Sequence, residues 1–196
     1  MRLPLLKPAE MTPEQAAFYP VLRESIAKTF SGFETETTDG RLIGPYNPWV
    51  HFPKFGKPIW DLATGLAINP VLPPRVREVA VLRVAAIFRP AYQIYSHVAV
   101  SKTRGLSTET IATIVAGVRP TDLSLDEALA YDTTTALLSP GPLPHINYAT
   151  VVSRFGEDGF AELLNIVALY CVTAITLNGF DVPVPPGEEH MPATSR

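Results

Sequence analysis

The chain has 196 residues, 46% of them hydrophobic, enough to bury a substantial core in one domain of ordinary size. Its 16 basic and 19 acidic residues leave a formal net charge of -3 with no concentrated field, which argues against a nucleic-acid backbone or a membrane as partner. A single cysteine, Cys171, excludes an internal disulfide, and four scattered histidines with no close pair argue against a metal site.

The opening MRLPLLKPAEMTPEQ is interrupted by Pro4, Lys7 and Pro8 and does not read as a signal peptide, so a cytoplasmic address is expected. TPEQ, residues 12–15, has capping-box spacing with proline at the first helical position; it opens a helix that Pro20 bends or restarts and that ends near Phe33. Residues 34–51, ETETTDGRLIGPYNPWVH, mix turn formers with aromatics and read as a long loop, a candidate lid. A helix over 53–67 and the turn INPVLPP follow.

From Arg75, RVREVAVLRVAAIF keeps helical spacing until Arg89 and Pro90 interrupt it, and a second helix runs over 90–104, with Gly105 suited to its C-terminal cap. Ser107 opens the helix STETIATIVAG and Ser124 caps SLDEALAYDTTTALL. Residues 146–156 are helical, and Gly156 and Gly159 separate them from LLNIVALYCVTAITL, residues 163–177. That run is shorter than the ~20 residues of a membrane span and reads as a buried core helix. Alternating runs long enough for a sheet are missing, so the fold is predicted to be all-α, one helical-bundle domain over 1–184 with a flexible tail over 185–196.

On a helix starting at Pro90, positions 90, 93 and 97 share a face, which makes Gln93 and His97 neighbours. If the chain reverses near Arg89, Glu78 lies about 16 Å before the bend and His97 about 12 Å after it. They can then meet across antiparallel helices. A carboxylate beside an imidazole fixes the ring's orientation and steadies its charged form, the combination that proton transfer near neutral pH requires. Arg75 offers Glu78 a competing surface partner at three-residue spacing, and a backbone carbonyl would serve His97 equally.

Residues 72–111, LPPRVREVAVLRVAAIFRPAYQIYSHVAVSKTRGLSTETI, resemble the core motif of the carboxymuconolactone decarboxylase and alkylhydroperoxidase-D-like superfamily: a glutamate, eleven residues, a Cys-x-x-Cys pair, three residues and a histidine. A weaker likeness extends through GPYNPWVHFPKFGKPIWDL and RFGEDGFAELLNIVALYCVTAITLNGFDVPVP, about three quarters of the chain in all. The resemblance implies a helical bundle associating as a homo-oligomer, trimer or hexamer, with Glu78 and His97 at the motif's glutamate and histidine positions. The two cysteine positions hold Pro90 and Gln93, and neither can supply the attacking thiolate or the resolving thiol of peroxide reduction.

Decarboxylase-like members lack that pair too. Resemblance to them implies chemistry without metal or organic cofactor on a small cyclic or unsaturated carboxylic acid or lactone, decarboxylation first and isomerisation, elimination or ring rearrangement second. His97 is then the expected proton donor, Glu78 its orienter, and Gln93 a donor to a substrate carbonyl. Arg83, with Arg77, is a candidate for holding a carboxylate. Tyr46, Asn47 and Trp49, with His51, would offer a ring-shaped ligand flat surface and hydrogen bonds. Tyr92 and Tyr95 are expected to pack or to meet another subunit. Two rival readings remain: a non-catalytic oligomeric binding protein on the same scaffold, and a redox protein using Cys171 between subunits.

Overall fold

The computed structural model describes residues 1–29 and 32–187; residues 188–196, with His190 and most of the expected tail, lie outside the described residues. Among those described there are eight α-helices and one isolated antiparallel bridge, between Glu36 and Leu42. The fold is all-α, as the periodicity predicts.

The centre is α4 (Pro74–Phe88), buried on nearly every side through Val76, Val79, Ala80, Val81, Leu82, Val84 and Ala85. Apolar residues on several sides of one helix need cover on each of them, so its neighbours surround it. It packs against α5 (Ala91–Thr103), α6 (Thr108–Val115), α7 (Leu125–Leu137) and α8 (His145–Phe180). Each buried Val or Leu contributes about 1.5–3 kcal/mol, and most of the bundle's cohesion comes from this helix.

The expected reversal after α4 is a single residue. Arg89 takes the left-handed conformation, φ 56° and ψ 40°, and its N–H bonds Ala85 O at 2.8 Å. Pro90 then stands as the N-cap of α5. A non-glycine residue in that region is strained by roughly 1–2 kcal/mol, and Asn178 of α8 braces the corner by donating through Nδ2 to Phe88 O at 2.7 Å.

The N-terminal third forms a second cluster. α1 (Pro13–Thr29) opens on the expected cap, Thr12 N–H to Gln15 Oε1 at 2.9 Å, and carries Pro20 without a break. With α2 (Tyr46–His51) and α3 (Pro53–Ala67) it buries Phe18, Leu22, Ile26, Tyr46, Trp49 and Trp60 together. The candidate lid over 34–51 is therefore corrected. Every residue from 42 to 50 is buried, and the second half of the segment is a short helix forming a fixed wall. Burial of two large aromatics outweighs the turn chemistry that suggested a loop. Gly56 lets α3 press onto this wall, because a Cβ there would collide with the Trp49 backbone.

The helix α8 is bent where the glycines implied a break: Gly156 has φ 74° and ψ 176°. By length and composition it is long and apolar enough to cross a membrane, more than the sequence run alone suggested. Leu163, Ile166 and Val167 nevertheless pack in the bundle core, while Leu164, Val172 and Ile175 remain exposed. The chain beyond α8 begins packed rather than loose: Val182 and Val184 are buried, Val182 against Ile43, Tyr92 and Leu177.

Candidate active site

The one-residue reversal sets α4 and α5 antiparallel, and Glu78 and His97 come face to face. His97 Nδ1 lies 2.9 Å from Glu78 Oε2, and both residues are under 10% exposed (6% and 8%). Ser101, one turn beyond His97, donates to the same carboxylate oxygen at 3.3 Å. An ionised carboxylate only accepts, so Nδ1 carries the proton and Nε2 is the nitrogen left for exchange. Arg75, the competing partner, is engaged elsewhere, its Nε on Glu127 Oε1 at 2.6 Å.

His97 lines a cavity between the N-terminal aromatic wall and α5 and α8. The wall supplies Tyr46, Trp49 and Trp60, α5 supplies Tyr92, Gln93 and Ser96, and α8 supplies Tyr170 and Thr173. Its volume of about 50 Å³, at the ~10–15 Å³ one water needs on this measure, holds roughly four waters, or ~120 Å³ of liquid. That is the size of a single five- or six-membered ring. The His97 imidazole stands edge-on to the Tyr170 ring, centroids 4.8 Å apart at 90°, which holds it upright at the cavity's edge.

The remaining sequence candidates divide. Gln93 lies beside His97 as its spacing requires, 1% exposed, and neither Nε2 nor Oε1 of its amide has a hydrogen-bond partner in the protein. Tyr46 and Trp49 line the cavity. Asn47 does not: its Oδ1 accepts from Leu6 N–H at 3.1 Å and its Nδ2 donates to Pro4 O at 3.2 Å, tying the N-terminal segment to α2. His51 joins the same tie, with Nε2 2.9 Å from Pro4 O.

Arg83 also turns away from the cavity. Its Nε donates to Thr135 Oγ1 at 2.8 Å and its guanidinium lies 5.1 Å from the Tyr131 ring centroid. Arg77 pairs with Glu162 and donates to Leu66 O at 2.8 Å. These arginines find partly buried acceptors on α3, α7 and α8, and none of the residues lining the cavity is Arg, Lys, Asp or Glu.

Tyr92 and Tyr95 bind the segment before the wall, the first donating its hydroxyl to Glu34 O at 2.5 Å and the second accepting from Glu34 N–H at 3.1 Å. Burial pushes the phenols of Tyr46 and Tyr92 far above their ordinary pKa, and burial followed by the charge of Glu78 does the same to Tyr170. These hydroxyls stay neutral throughout the working pH range. Cys171 is half-buried on α8 and absent from the cavity lining; burial raises its thiol pKa, which makes it a poor source of thiolate.

Sequence reading missed Trp60, Ser96, Ser101, Tyr170 and Thr173. Ser101 and Ser96 had a signal, the one a helical turn after His97 and the other three residues after Gln93 on the same helix. The others reach the cavity through long-range packing, for which periodicity holds no information.

Comparison with known proteins agrees with the resemblance in the motif. Residues 53–132 match the family model of the carboxymuconolactone decarboxylase family. The chain is similar in structure to a peroxidase-related protein from Ralstonia eutropha JMP134 described as an alkylhydroperoxidase AhpD core, with TM-score 0.74 and 11% identity, covering 94% of this chain and 92% of that one. It is also similar to a peroxidase-related protein from Silicibacter sp. TM1040, with TM-score 0.70 and 12% identity, covering 95% and 91% respectively. No curated protein matches the sequence. The matched region, residues 53–132, and the shared helical fold agree with the likeness of the motif to the carboxymuconolactone decarboxylase and alkylhydroperoxidase-D-like superfamily.

Proposed function

We propose that the chain is a cofactor-independent acid-base catalyst that moves a proton on a small unsaturated ring such as a lactone. The observation that carries this reading is the buried contact of His97 Nδ1 with Glu78 Oε2 at 2.9 Å, on a ring that lines a cavity of single-ring size. Neutral at Nε2, His97 removes a proton from the carbon between a carbonyl and a double bond. The electron pair moves into the conjugated system, onto the carbonyl oxygen. The imidazolium, steadied by Glu78, then returns the proton to the far end of that system, and nothing is oxidised or reduced. A positioned base of this kind typically contributes ~10²–10⁴ in rate.

Proton transfer suits the site better than decarboxylation, the first expectation from the sequence, because the arginines that would hold a carboxylate are bonded elsewhere. Thiol-dependent peroxide reduction has no support, since Pro90 and Gln93 stand at the motif's cysteine positions. The expected homo-oligomer, a trimer or hexamer, finds a candidate contact in the exposed Leu164, Val172 and Ile175 of α8.

The test uses α-angelica lactone in deuterated buffer, following conversion to the conjugated β isomer and deuterium gain at the γ-carbon by NMR. The wild-type protein should accelerate both, and His97→Ala should lower the rate by ~10²–10⁴ without loss of helical circular dichroism. Equal rates for wild type, His97→Ala and buffer would leave the non-catalytic binding reading in its place.

A further inference from the structure

The proposed reaction leaves open what distinguishes the substrate, and the cavity carries an answer in its unpartnered polar atoms. Three residues that line it carry, between them, four buried side-chain atoms without a hydrogen-bond partner in the protein: Gln93 Nε2 and Oε1, Trp49 Nε1 and Trp60 Nε1. Buried polar atoms are almost always satisfied, so four around one small cavity indicate that their partner is what the cavity takes up. Turning the Gln93 amide over changes nothing, because a donor and an acceptor remain either way. The lining hydroxyls behave differently: Ser96 Oγ donates to Gln93 O at 3.2 Å and Thr173 Oγ1 to Leu169 O at 2.9 Å, each satisfied by its own helix.

Three of the four atoms belong to donor groups, so the ligand presents oxygen acceptors. The walls are flat aromatic rings, so it is planar. Its charge follows from what the lining omits. An anion entering here would lose its hydration and meet no guanidinium or ammonium among the lining residues, with the Glu78 carboxylate directly behind His97. We propose that the site selects a neutral, planar ring bearing a carbonyl or lactone oxygen, received by the Gln93 amide and the Trp49 and Trp60 indoles, and rejects the corresponding carboxylate. This rests on the acid-base reading for what happens after binding, but recognition is measured without turnover.

The two tryptophans of the chain are Trp49 and Trp60, so intrinsic fluorescence reports on this cavity alone. Purified protein near pH 8 is titrated with cyclohexenone and with cyclohexenecarboxylate, and with the neutral cyclohexenecarboxamide as the size control for the latter. The ketone should change tryptophan emission saturably and bind at least about tenfold more tightly than the carboxylate. Gln93→Leu should weaken ketone binding about tenfold or more while melting no lower than wild type, because it removes a buried amide without protein partners.

Equal or tighter binding of the carboxylate, no saturable response to the ketone, or unchanged ketone affinity in Gln93→Leu would each overturn the proposal. A Gln93→Leu protein melting several degrees lower would do so too, by showing that the amide is structural. Failure of the isomerisation assay with this selectivity intact would instead remove the catalytic reading alone.

Discussion

At the N-terminal turn of α4, Arg75 and Arg77 reach buried carboxylates on α7 and α8; at Glu78 the same helix places a carboxylate of its own against an imidazole. Glu162 accepts from Arg77 and from the backbone N–H groups of Val71 at 2.5 Å and Leu72 at 3.1 Å, and Glu127 accepts from Arg75 and from Ser124 N–H at 2.9 Å. Each is bound to a permanent charge and to backbone N–H, and its work is to join elements. Glu78 is bound to an imidazole, a group able to take up and release a proton, and to the Ser101 hydroxyl. Partner chemistry, more than burial, separates a carboxylate that staples the fold from one equipped for proton transfer.

The contrast is sharpest at Glu78. Glu78→Gln keeps the shape but lets an amide donate to the ring, reversing the tautomer; lactone isomerisation should fall by ~10²–10⁴. Urea unfolding should shift by no more than ~1 kcal/mol. A large loss of stability with catalysis preserved would make Glu78 a staple as well.

Glu162→Ala should show the opposite pattern. It leaves Arg77 and two backbone N–H groups without their acceptor, and loss of this partly buried acceptor should lower stability by about 1–3 kcal/mol. The rate per folded molecule should be unchanged, and urea melts paired with the isomerisation assay separate the two quantities.

The smallest effect belongs to the exposed pair of Asp126 with Arg154, at 2.6 Å and 2.8 Å. Hydrogen bonding to Arg154 holds the Asp126 carboxyl below its ordinary pKa. A lowered folded pKa means that the pair stabilises above the unfolded carboxyl value of about 4 and loses that contribution as pH falls through the folded value. The melting-temperature gap between wild type and Asp126→Asn should thus be slight near about pH 6 and close on acidification toward about pH 3.

The helices and the Glu78–His97 meeting were legible because they are set by local spacing and a reversal marked by Arg89 and Pro90. Gln93 followed from the same arithmetic. Arg83 was misplaced because a guanidinium can serve a ligand or a neighbouring helix, and only packing shows Thr135 and Tyr131 within its reach. Asn47 and Gln93 look alike as buried amides. Only the chain's return of Pro4 and Leu6 to Asn47 distinguishes an amide already satisfied from one without protein partners. Trp60 and Tyr170 lie far from the motif in sequence, and their arrival at one cavity is a property of the folded bundle.

The single left-handed residue between α4 and α5 leaves no slack in angular phase. One added amino acid at that corner would roll α5 by roughly 100° about its axis, carrying the imidazole off the carboxylate and the glutamine off the tryptophans in one stroke. Recognition and proton exchange are geared together through Arg89, so the corner whose side chain touches neither function sets the timing of both.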